Sequence, residues 1–178
     1  TDEGGSTVVA DAVRVEQLRP LLADALVSGD PGAAITTLDA VPTSLVQRAA
    51  ALWSAAAPQS AARLASVEVI VADLPCQTLG LASAWTQTIW LDADGAGQGW
   101  SVVSVPWPVS GEPWNGTPSS AIPHRSSYDL LTVIAHELGH VLGLEHAQEE
   151  HDLMADTLSV GVGRLALPPL SIRRALFR

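Results

Sequence analysis

Lysine is missing from this sequence. Its nine basic residues are all arginine and stand against 19 acidic ones, and the net charge of −10 sets aside nucleic acid and anionic membrane surfaces as partners. Cysteine is nearly absent as well: Cys76 stands alone, which excludes an internal disulfide and a cysteine-rich metal site and leaves the redox compartment open. No run of 18 apolar residues occurs, and the opening TDEGGSTVVA is acidic and small rather than basic and then apolar, so neither a membrane span nor a signal peptide is visible. A chain that starts at Thr1 reads as a processed or trimmed piece of something longer.

What is present is 178 residues, 47% of them hydrophobic, which suits one compact unit with a real core. In residues 11–28, Val15, Leu18, Leu22, Ala25 and Leu26 recur at helical spacing before SGDPG breaks the pattern, which predicts a helix and a turn. Residues 1–40 are accordingly expected to be a helical N-terminal extension, a pro-segment or linker, ahead of a domain over residues 41–178. TSLVQRAAALWSAA (43–56) puts Leu45, Ala49, Leu52, Trp53 and Ala56 on one face behind a Thr/Ser N-cap, and Pro58 stops it. Three extended stretches follow, at 67–74, 78–85 and 88–92, rich in β-branched residues and close enough to share a sheet. From 95 to 127 proline, glycine and serine predict a long irregular loop, with tryptophans 85, 90, 100, 107 and 114 in or before it. These aromatics pin the loop to the sheet or form a substrate-facing rim. Asn115 opens a glycosylation sequon, and a short helix is expected around 171–177.

The chemistry concentrates in AHELGHVLGLEH, residues 135–146. Serines and Asp129 suit a helix N-terminus ahead of a strongly apolar, hence buried, helix. His136 and His140, four apart, lie on one face a turn apart, where two nitrogens can bind one zinc ion. Glu137 is placed to hold the water. Catalytic zinc needs a third protein ligand and an open fourth position; a left-handed Gly143 turns the chain so that His146 returns to the metal. Core or surface histidines on an ordinary helix are the bland account, but His, Glu, His, Gly and His match at once inside a predicted helix and turn.

HELGHVLGLEH resembles the HExxHxxGxxH signature of the metzincin metallopeptidases. The only methionine, Met154, follows His146 by eight residues, a spacing similar to the matrixin branch; Asp156 stands where astacins and serralysins have a tyrosine ligand. With ADLPCQTLGLASAWTQTIWLDADGAGQGW upstream, the chain looks like a matrixin-like domain of bacterial surface or secreted proteins over about residues 43–163. The resemblance implies an α+β metzincin (zincin-like) fold: a small twisted mixed sheet, the active-site helix, a backing helix behind it and a short C-terminal helix. It implies one catalytic zinc on His136, His140 and His146, with Met154 as an apolar floor beneath the imidazoles. It also implies that Leu79 to Ala84 are an antiparallel edge strand, so that Leu79, Gly80, Leu81 and Ala82 bind a substrate peptide as a further strand. Asp92 and Asp94 lie where matrixins use acidic residues for calcium, though two carboxylates in a turn are also commonly just solvated.

The expected activity is that of a zinc metalloendopeptidase: zinc activates water and polarises the peptide carbonyl, and Glu137, as general base, takes the proton and passes it to the leaving amine. Its partner is a peptide or protein substrate, with no nucleic acid and no membrane insertion; a secreted or cell-surface monomer is expected. The alternative is a zinc-bound, catalytically silent structural or adhesion module whose proline-rich loop covers the cleft. His151 as a rival third ligand, His124 as a substrate contact, Cys76 as a latency thiolate and Asp30 as an inhibitory carboxylate are weaker readings. Each has an ordinary surface or turn role.

Overall fold

The computed structural model describes residues 18–24, 37–102, 126–165 and 167. The expected helix at 171–177, Asp30, His124, Trp107, Trp114 and the sequon at Asn115 lie outside the described residues, as does most of the 95–127 loop.

A mixed five-stranded sheet carries the site. Strands β1 (Leu21–Ala23), β2 (Glu68–Ala72), β3 (Thr78–Ser83), β4 (Thr88–Asp92) and β7 (Thr157–Leu158) run in the order β2-β4-β3-β1-β7. β3 is antiparallel to both its neighbours, opposing Gly80 to Leu91 in β4 and to Leu21 in β1. β2 pairs parallel with β4, and β1 parallel with β7. A smaller parallel pair joins β5 (Trp100–Ser101) to β6 (Tyr128–Asp129).

Helix α1 (Thr43–Ala56) has the predicted bounds and buries Leu45, Ala49 and Trp53. Its N-cap is Pro42, without a side-chain cap, so Thr43 is already helical rather than the cap expected. After Pro58 the chain makes a single 3-10 turn and the short helix α2 (Ala61–Leu64), an element that the sequence pattern did not signal. Helix α3 (Leu130–Val141) starts where Asp129 accepts a hydrogen bond from the Thr132 N–H at 3.0 Å, and every residue of it is buried. It packs between α1 and the sheet. The Trp53 indole donates to the Ala135 carbonyl at 2.8 Å, locking α1 behind the active helix.

The helix expected over 11–28 is corrected in its described part: Leu21–Ala23 is a strand whose side chains alternate in, out, in. Pro20 disfavours helical backbone at Arg19 and has no N–H to give a helix. The open flank of β3 then decides the outcome by offering a ladder to pair with. β3 is consequently not an edge strand, contrary to expectation, because β1 occupies that flank.

Asp92 and Asp94, the candidate calcium residues, hydrogen-bond to the backbone of their own turn. Both Asp92 carboxylate oxygens accept backbone N–H groups, from Leu74 at 2.8 Å and Ala96 at 2.7 Å, and Asp94 accepts from Gly97 at 2.7 Å. They shape the turn after β4, and no third metal-binding side chain joins them among the described residues. Trp100, fully buried, donates to the Asp92 carbonyl at 3.0 Å and anchors that turn, whereas Trp85 is exposed. Among the described residues no helix is long and apolar enough to cross a membrane.

Candidate metal centre and catalytic carboxylate

The end of α3 explains how three histidines meet. Gly143 takes φ +94°, its N–H bonds to the His140 carbonyl at 2.9 Å, and the Leu144 N–H reaches back to the Gly139 carbonyl at 3.0 Å. This pair of bonds is the Schellman ending that a left-handed glycine permits. The chain reverses there, and His146 comes back towards the two helical histidines.

The ligand atoms of His136, His140 and His146 all lie within 4.8 Å of one another. The Nε2 of His136 is 3.0 Å from that of His140 and 3.3 Å from that of His146. The Nδ1 atoms of His136 and His140 lie 2.8 Å from the carbonyls of Leu153 and Leu144. A carbonyl can only accept, so these Nδ1 atoms carry the protons, and the Nε2 lone pairs converge on one point. Facing lone pairs repel unless a cation lies between them. Tetrahedral zinc with bonds of ~2.0–2.1 Å sets nitrogens about 3.3 Å apart, close to the 3.0 and 3.3 Å found, so the residues fit that ion.

Burial, the largest cause in each case, lowers the proton affinity of all three rings: well below the ordinary histidine value for His136, down to about 4 for His140, and to a lesser degree for His146. At neutral pH they are therefore uncharged, as metal ligands must be. The carbonyls behind His136 and His140 fix ring orientation as well as tautomer.

A turn supplies one of those carbonyls. Asp152 accepts the Met154 N–H at 2.8 Å, and the Ala147 N–H bonds to the Met154 carbonyl at 2.8 Å, so the loop from 147 to 155 closes under the helix. Met154 is buried; its sulfur lies where a side chain on Gly139 would stand, and Trp53 closes the same space. Asp152, Leu153 and Leu144 escaped sequence reasoning. Only Asp152 had a signal, an Asx turn two residues before Met154; carbonyl ligands of histidine leave none.

Glu137 is fully buried, and neither carboxylate oxygen has a hydrogen-bond partner. Burial raises its proton affinity well above the usual carboxylate range; the Leu21 N–H offsets a little of this without forming a well-aligned bond. Gly80 of β3 makes room for it: a Cβ there would come within 2.6 Å of Glu137 Oε1. Of the expected substrate-binding residues, Gly80 thus abuts the Glu137 carboxylate. Ala82 lines a cavity of about 150 Å³ beside His140, Gly143 and Arg19. Leu79 is buried in the core, and Leu81 pairs with Trp90. His151 and Cys76 are exposed, and neither joins the histidine cluster.

The family model described as Matrixin matches residues 11–169. No curated protein and no solved structure matches the chain.

Proposed function

Since the chain belongs to the matrixin family, we propose that it is a zinc-dependent metalloendopeptidase in which Glu137 moves the proton. The observation that carries this reading is the bare Glu137 carboxylate, buried without a partner one residue from a histidine whose Nε2 converges with two others. Such a group is costly to keep in a fold, about 1–3 kcal/mol or more for an unsatisfied buried polar group, and is retained where function uses it.

His136, His140 and His146 would hold the metal. Zinc bound there supplies Lewis acidity, polarising a peptide carbonyl and making water acidic near neutral pH. The remaining work falls to the chain. The Leu153 and Leu144 carbonyls hold two of the imidazoles in the ligating tautomer, and Gly80 leaves space for the Glu137 side chain to face the cleft. Glu137, with its raised proton affinity, is suited to accept a proton from water and return it to the amide nitrogen of the leaving half. The flank of β3 that β1 fills would take an extended substrate in place of β1. Action on peptides or proteins outside the cell is part of this proposal and rests on the resemblance alone.

The test combines metal analysis with a mixed peptide library. One zinc per chain and cleavage by the unmodified protein, lost in Glu137→Ala, is the expected result. Zinc without cleavage, or equal cleavage by both proteins, would instead favour the silent structural module.

A further inference from the structure

The flank of β3 nearest Glu137 is filled by the chain itself. Arg19 lines the small cavity with His140 and Ala82, and its guanidinium lies 3.4 Å from the Glu145 carboxylate. Two residues later Leu21 stands opposite Gly80, the residue that abuts Glu137. Opposed residues of an antiparallel pair send their side chains to the same face, so Leu21 shares the side of the sheet that Glu137 occupies, and it is 1% exposed. The Pro20–Leu21 peptide bond therefore lies between Arg19, which shares a cavity with His140, and the Leu21 position opposite Gly80, against which Glu137 packs.

Downstream the segment is held through its backbone from both neighbours. Leu22 donates to the Asp156 carbonyl at 3.0 Å, Ala23 to the Gln77 carbonyl at 2.8 Å and Asp24 to the Leu158 carbonyl at 2.9 Å. Ser159 donates to the Asp24 carboxylate at 2.9 Å. Leu21 and Ala23 are buried while Leu22 is exposed, so alternate side chains are read, as in strand addition. Upstream, Pro20 cannot donate, and its ring favours extended backbone at Arg19.

Direction matters as much as place. The chain runs from His140 towards Glu137, so the nitrogen of the Pro20–Leu21 bond falls on the side of the acid that must protonate a leaving amine. A strand laid the other way would present the wrong half of each bond to that acid.

Resting on the peptidase reading, we propose that residues 19–24 are a substrate that the chain supplies to its own cleft, with Pro20–Leu21 as the bond hydrolysed. One water is consumed: its oxygen bonds to the Pro20 carbonyl carbon, the C–N bond breaks, and the proton held by Glu137 ends on the Leu21 nitrogen. Until that step, other chains are kept from Glu137.

The experiment follows the full chain, loaded with zinc, by intact mass and N-terminal sequencing, with a peptide library as a parallel substrate. The expected result is a new N-terminus at Leu21 and a fragment ending at Pro20, formed at a rate independent of protein concentration and reduced about 100-fold or more in Glu137→Gln. An isotope-labelled Glu137→Gln chain mixed with the unmodified protein stays intact over the same period, and library peptides are cleaved. Library cleavage with no cut at Pro20–Leu21 overturns the inference and leaves the peptidase reading standing. Cleavage of neither overturns both. Cutting of the labelled chain as fast as the unmodified one overturns self-supply.

Discussion

Two buried carboxylates lie beside adjacent strands of the same sheet and are treated in opposite ways. Asp92, 2% exposed at the end of β4, has each oxygen met by a backbone N–H, whereas Glu137, fully buried against β3, has neither oxygen met. Burial raises the proton affinity of both; at Asp92 the two N–H groups offset part of that rise, and neighbouring Asp94 adds to it. A carboxylate met on both oxygens by its own turn serves the backbone. One left bare inside a fold is a group whose partner is still to arrive, and this contrast separates a structural acid from a catalytic one more sharply than residue type or exposure does.

Glu137→Gln should break the contrast from the catalytic side, and with the largest effect: peptide cleavage falls about 10²- to 10⁴-fold. Urea denaturation should meanwhile show no loss of stability, because the amide is neutral where the carboxylate had no partner. A clear drop in stability would mean that Glu137 has a structural bond after all. Chelation comes next. Removing zinc from the three histidines should lower the melting temperature, by the equivalent of about 4 kcal/mol where free zinc had stood a thousandfold above Kd, and restoring zinc should reverse it. A melting curve indifferent to chelator would contradict the converging lone pairs.

Asp92→Ala tests the structural side. It strips two N–H groups of their acceptor and should cost about 1–3 kcal/mol in urea denaturation, while the folded fraction keeps its kcat. Calcium should not stabilise the unmodified protein at this turn. Gly139→Ala should cost a comparable or smaller amount, about 1–3 kcal/mol, because a Cβ there meets the Met154 sulfur and the Trp53 ring. The smallest effect is reserved for His151→Ala: unchanged zinc content and a stability change within about 0.5 kcal/mol, as for an exposed residue outside the cluster.

The metal centre was the most legible part of the molecule, because its geometry is written in local spacing. His136 and His140 share a helix face, Gly143 must be the residue that turns, and the φ of +94° there is what that reading required. Helix α1 and strand β4 were equally readable from period and from proline stops. Strand β1 was not. Leu18, Leu22, Ala25 and Leu26 fit a helical period, and nothing within three residues of Leu21 says that β3 has a flank to fill; a pairing across about 60 residues of chain outweighed local preference. Asp92 was only half readable for a related reason. Its position in a turn is visible, but whether its oxygens face solvent, an ion or the backbone depends on how Leu74 and Ala96 return to it.

Strand β7 joins the sheet only through β1. Lift β1 out and the sheet becomes a slot, with an antiparallel wall on β3 and a parallel wall on β7, each offering unpaired backbone groups. Strands pair about 4.8 Å apart, so the walls stand roughly 10 Å from each other, the room needed for a single extended chain laid between two hydrogen-bonding rows. A helix, itself about 10–12 Å across with its side chains and with its backbone groups already paired, could not be gripped there. The slot would therefore act as a conformational sieve, admitting unstructured loops and unfolded chains in one orientation and passing over folded surfaces.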